Sequence, residues 1–274
     1  MAEQASPVPR FRNARLLVAA ITVALATSVA HAAPPTLIGD YLLTTGSFTN
    51  AVTGTQALGN LSVVASSGST GFVTGTASDA GWFWNGATAP GTGLSVSGLP
   101  LNAGGAFGNY SIGMRFQFSD VSNFRRLITF ASNEDTGVYV LNGGFAVVGT
   151  DPIVVVSGGT IAANSFVDFV LTRNGTNSQV AGYINGSPTP VWTTPDSNYG
   201  DAPSGTLQFF RDNTGGDEFS PAGRISLLRI WNGPLAAADI PMSMVPEPSA
   251  LALGGLGLAA ILFRAWRRRH SCGG

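Results

Sequence analysis

Four oxygen-bearing side chains crowd one short segment, Arg211-Asp212-Asn213-Thr214-Gly215-Gly216-Asp217-Glu218. Calcium takes about six to eight oxygen ligands, including backbone carbonyls that glycine leaves accessible. Asp212, Asn213, Asp217 and Glu218 therefore form a candidate calcium site, against the plainer reading of a solvated acidic hairpin. Stacking against sugar rings is a second chemistry open to this chain. Trp82 and Trp84 flank Phe83 just before Asn85-Gly86, so the tryptophans share one strand face and Phe83 takes the other. Trp192 and Tyr199 lie in a stretch containing Pro and Asp and are the next candidates. Exposed, these aromatics would make a platform for carbohydrate. Buried, one face of Trp82-Phe83-Trp84 is simply core.

Catalysis is poorly provided for. The two histidines, His31 and His270, lie near the termini, and the single cysteine is Cys272. The region between has no imidazole or thiol, which excludes Ser-His-Asp, Cys-His and histidine- or thiolate-ligated zinc chemistry there, as well as disulfides. Glycosidases commonly use two carboxylates about 5–5.5 Å or about 6.5–9.5 Å apart. Here Glu134 and Glu218 stand far apart in sequence, no Glu-x-Asp-x-x-Glu run exists, and Asp168 sits in an apolar stretch. The expectation is a protein that is not an enzyme, with no catalytic residues.

Both ends carry addresses. Arg10, Arg12 and Arg15 precede an apolar stretch over 16–29, and Ala30-His31-Ala32 fits a small-x-small cleavage site, so residues 1–32 read as a secretory signal peptide. At the other end Pro246-Glu247-Pro248 is followed by an apolar run over 249–263 and then by Arg264, Arg267, Arg268 and Arg269. Fifteen residues of helix rise roughly 22 Å, short of the roughly 30 Å hydrocarbon core. Arg264 and Trp266 extend that reach as snorkelling and interfacial residues. This acidic Pro-Glu-Pro, apolar run and basic stop resemble the C-terminal tail of PEP-CTERM proteins. The resemblance implies a sorting signal over residues 242–274, made of the motif, a transmembrane helix and a basic tail, with processing by an exosortase after general secretion and delivery to the cell surface or extracellular matrix of a Gram-negative bacterium.

Residues 33–241 remain for one domain. Of the 14 basic residues, all arginine, seven belong to the region 33–245 against thirteen acidic ones, a net charge of −6 there (7 − 13). That surface repels polyanions and argues against nucleic-acid binding. Short alternating runs bounded by Gly, Asn, Asp and Ser predict antiparallel strands. In the clearest, 110–118, Tyr110, Ile112, Met114, Phe116 and Phe118 share one face; in 166–173, Val167, Phe169 and Leu171 do the same. Further strands are expected at 127–130, 137–141, 145–148, 179–184, 207–211 and 224–231, and short ones within the Gly-, Ser- and Thr-rich 54–81. Asn174-Gly175 and Asn185-Gly186 favour the positive φ of tight hairpin turns. A helical turn is expected over 234–240. Together these predict an all-β, antiparallel two-sheet sandwich.

Several stretches in order carry a family resemblance: Tyr110-Ser111-Ile112, Arg126-Leu127-Ile128-Thr129-Phe130, Asp135-Thr136-Gly137-Val138-Tyr139 and Phe166-Val167-Asp168-Phe169. Gly182-Tyr183-Ile184-Asn185-Gly186 and Ala222-Gly223-Arg224-Ile225-Ser226-Leu227-Leu228-Arg229-Ile230-Trp231 continue it. Over residues 37–240 the chain resembles the laminin-G-like domains of the concanavalin A-like lectin/glucanase jelly rolls, with Phe166 where relatives often carry tryptophan. The resemblance implies a jelly-roll sandwich built for binding, adhesion or scaffolding, with extracellular glycan or protein as partner. It also implies calcium at a sheet edge in many members.

Overall fold

The computed structural model describes residues 35–65, 68–75, 79–85, 91–101, 108–131, 136–148, 154–156, 159–195, 202–212, 218 and 222–244. The signal peptide and the sorting tail, with Pro246, Glu247 and Pro248, lie outside the described residues. So do Asn213, Asp217 and Tyr199.

The first half of the domain holds β1 (Thr36–Leu42), β2 (Ser62–Val64), β3 (Ser69–Val73), β4 (Gly81–Asn85), β5 (Gly93–Ser97), β6 (Asn109–Phe118) and β7 (Phe124–Thr129). The second holds β8 (Gly137–Leu141), β9 (Gly144–Val148), β10 (Val154–Val156), β11 (Val167–Asn174), β12 (Gln179–Ile184), β13 (Trp192–Pro195), β14 (Thr206–Phe209) and β15 (Ala222–Asn232). A short 3-10 turn, Ala237–Asp239, runs into α1 (Ile240–Ser243). Two sheets result. The larger is ordered β13-β12-β11-β6-β15-β4-β3, with β1 also paired to β15, and the smaller is ordered β10-β9-β8-β7-β14-β5-β2. All pairings among the described residues are antiparallel.

The period-two pattern is what makes the layers. On β6, Tyr110, Ile112, Met114, Phe116 and Phe118 are all fully buried between the sheets. Val167, Phe169 and Leu171 of β11 join them, and Phe169 stacks on Phe145 of the opposite sheet at 4.7 Å. At the other end of the core Trp84 stacks on Phe210 at 4.5 Å. Phe210 reaches that position with a left-handed φ of 66°, which turns the end of β14 so that Phe209 and Phe210, neighbours in sequence, both enter the core. Such a conformation costs a non-glycine residue about 1–2 kcal/mol, offset here by burial of a whole aromatic ring.

The outward side of the larger sheet is not bare. Its end nearest α1 carries a second apolar cluster, in which Ile240 and Met244 pack with Val170, Ala181, Tyr183 and Leu227. Gly113 makes room for this turn: a Cβ there would stand 2.6 Å from the Met244 sulfur. Arg229 fastens it, donating from Nη1 to the Ser243 carbonyl at 2.8 Å and from Nε to Asp40 at 3.0 Å.

Several expectations shift. The helical turn falls at 237–243 rather than 234–240. Asn185-Gly186 is a left-handed turn as its residues require, at φ 52° and 71°, but at 174–179 the left-handed residue is Ser178, and the link from β11 to β12 is four residues long. Trp192 begins a strand instead of lying in a loop, because its indole lies across Gly182 of β12 and pairs the two segments.

Candidate functional site

Two carboxylates of the acidic loop, Asp212 and Glu218, face an arginine. Arg126, on β7, is fully buried and donates to Asp212 Oδ1 from Nη2 at 2.6 Å and from Nε at 3.2 Å. Its Nη1 donates to the Thr136 carbonyl at 3.1 Å, and the guanidinium lies 4.1 Å from the centre of the Tyr139 ring. Asp212 Oδ2 accepts the Glu218 backbone N–H at 3.3 Å, and the Glu218 carboxylate stands 3.9 Å from Arg126 Nη2. Of the four candidate calcium ligands, Asp212 and Glu218 thus turn to Arg126 instead of standing free, while Asn213 and Asp217 lie outside the described residues. Among the described residues no group of three His, Cys, Asp or Glu could hold a metal ion. Arg126 escaped the sequence reading. The signal was there in an arginine set among strand residues, with an acidic partner 86 positions on.

The tryptophan platform is corrected. Trp82 and Trp84 are each 1% exposed, stacked on one another at 5.3 Å inside the sandwich. Trp192 is 5% exposed, and its indole N–H is buried with no hydrogen-bond partner among the described residues. The alternation in Trp82-Phe83-Trp84 holds, but the face that looks outward is that of Phe83.

Around Phe83 the outer face of the larger sheet does form a site. Strand register sets Gly71 of β3, Phe83 of β4, Arg224 of β15 and Gln117 of β6 in one row across four strands. Gly71 leaves the space its side chain would fill to the Phe83 ring, which comes within 3.1 Å of the missing Cβ. Phe83, Arg224 and Gln117 of that row floor a cavity of about 450 Å³, whose walls add Val73, Asn85, Ser119 and Asn164. That volume is ordinary for a small-molecule site, about 300–1,000 Å³. Asn85, Gln117 and Asn164 supply amides that both donate and accept, and Ser119 supplies a hydroxyl. The one charge, on Arg224, is matched: Asp79 Oδ2 lies 2.8 Å from its Nη1, which also donates to the Asp79 carbonyl. The hydrogen bond from Arg224 to the Asp79 carboxylate is the main reason that carboxyl titrates below its usual range. Beyond Gln117 the same face carries Arg115, 3.2 Å from Asp168 and 5.6 Å from the centre of the Phe166 ring.

A two-sheet antiparallel sandwich of this kind belongs to the general class of jelly-roll folds. The family model of the concanavalin A-like lectin/glucanases superfamily, in its laminin G form, matches residues 99–241, just over half of the chain. The chain belongs to that superfamily. The PEP-CTERM protein-sorting motif matches residues 245–269, so this is an exported protein with a membrane-anchored C-terminal sorting signal of the kind exosortases process. Among solved structures, domain 4 of AbnA, a GH43 extracellular arabinanase from Geobacillus stearothermophilus in complex with arabinotriose, is similar at 16% identity and TM-score 0.53. The match covers 76% of this chain and 98% of that one. The binding domain of botulinum neurotoxin serotype C1 is similar at 15% identity and TM-score 0.52, over 75% of this chain and 51% of that one. The binding domain of Paraclostridial Mosquitocidal Protein 1 is similar at 12% identity and TM-score 0.51, over 75% and 51%. The chain thus spans about half the length of the two toxin domains, and at these identities the likeness is one of fold. No curated protein matches this chain.

Proposed function

We propose that this is a non-catalytic, exported glycan-binding protein that holds polysaccharide in the outer-face cavity and is released by tail processing to the cell surface or its matrix. The observation that carries the reading is the cavity itself: the outward ring of Phe83 set among Asn85, Gln117, Ser119 and Asn164. An aromatic face takes the apolar side of a sugar ring while amides and hydroxyls exchange hydrogen bonds with its hydroxyl groups. No carboxylate lines the cavity among the described residues, so it offers no pair for glycosidic acid–base chemistry and supports retention of the sugar rather than its cleavage. The fold-level likeness to an arabinanase domain seen with arabinotriose supports the same reading.

Affinity electrophoresis of the exported protein through gels containing arabinan, xylan, glucan or alginate tests it. Retardation by at least one polysaccharide, abolished by Phe83→Ala without a change in melting temperature, is the expected result. Free migration in every gel would refute the proposal.

A further inference from the structure

Building on that reading of the cavity, we infer that it takes an internal stretch of a linear, uncharged polysaccharide, not a chain end and not a uronate. Length is the first argument. The cavity runs across the strands, from Val73 on β3 past Phe83, Arg224 and Gln117 to Asn164 beyond β6. Adjacent strands lie about 4.8 Å apart, so the three spacings from β3 to β6 make about 14 Å, more than one sugar ring covers. Phe166 continues the face past Gln117, half-buried and capped by Arg115.

Charge is the second argument. Among the described residues Arg224 is the one ionic group lining the cavity; the Asp79 carboxylate neutralises it and the Asp79 carbonyl accepts a further hydrogen bond from it. The next pair along the face, Arg115 and Asp168, is matched in the same way at 3.2 Å. A uronate would have to displace Asp79 from Arg224 and then approach a domain whose net charge is negative. A neutral chain meets no such opposition, since amides serve sugar hydroxyls in either hydrogen-bonding sense.

Calorimetric titration of the exported protein with neutral oligosaccharides from arabinan, xylan and glucan, monosaccharide to hexasaccharide, and with oligouronates of equal length, decides the matter. Affinity for one neutral series should climb with length and stay constant between low and high salt, with no oligouronate bound. Gln117→Ala should weaken it about tenfold, the equivalent of about 1.4 kcal/mol, at unchanged melting temperature. Asp79→Asn removes the carboxylate from Arg224 and should create oligouronate binding that salt suppresses. Oligouronate binding by the unaltered protein, or monosaccharides bound as tightly as hexasaccharides, would overturn the inference and leave the glycan-binding reading intact. Heat from neither series would remove both.

Discussion

At the scale of single residues, the acidic loop shows how one unseen partner changes the meaning of a motif. Asp212 and Glu218 have the composition of a cation site, yet both turn to Arg126, which closes the β14–β15 connection over Tyr139. Removing one member of a buried pair strands the other's charge, at about 3–5 kcal/mol. Asp212→Ala should accordingly lower the melting temperature steeply, while millimolar calcium or chelator leaves the unaltered protein's melting curve in place; differential scanning calorimetry reads both. Asp120 makes a gentler, exposed case. Its hydroxyl and backbone N–H bonds from Ser122, followed by Arg125, hold its carboxyl at about 2, below the usual 3.8. A lowered folded-state value stabilises above the unfolded one and is lost as pH falls through the folded one. The stability difference between the unaltered protein and Asp120→Asn should therefore shrink as pH drops from about 4 towards about 2, measured by urea unfolding at each pH. Residue type alone marked Asp212 and Glu218; their partner Arg126, 86 residues from Asp212, becomes a neighbour only through the pairing of β7 with β14.

Among the elements, those with sustained alternation were legible. Strands at 137–141 and 179–184 fall where their pattern places them, and β6 does so within one residue. Met114 sits at the centre of that pattern, fully buried, and its truncation to alanine should cost about 2–5 kcal/mol in chemical unfolding. The strands that escaped are β1, β5, β10 and β13, each short or weakly patterned: β10 and β13 are held by their sequence neighbours β9 and β12, whereas β1 lies along β15, nearly two hundred residues on, with Asp40 opposite Arg229. The candidate site escaped for a related reason. Alternation told that Trp82 and Trp84 oppose Phe83, but only the stacking of the second sheet decides which side is interior. The row Gly71, Phe83, Arg224, Gln117 is written on four segments and exists only once they are in register.

For the molecule as a whole, the sorting motif and the superfamily were readable because each is a local run of residues in fixed order. Mass spectrometry of the protein recovered from cells with a matching exosortase should find an N-terminus near Ala33 and a C-terminus close to Pro246-Glu247-Pro248; an intact chain through Gly274 would contradict the proposed release. The clasp of Arg229 on Ser243, with Met244 seated over Gly113, adds a condition to that event. Met244 is the last buried residue among the described ones, and the apolar run begins five residues on at Ser249, so the extended chain between them spans at most about 18 Å. On the sorting reading the domain is thus moored on a short leash: while the tail is in the membrane the sandwich stays within about 18 Å of the lipid surface. Once cut at the motif, it departs almost without a stalk.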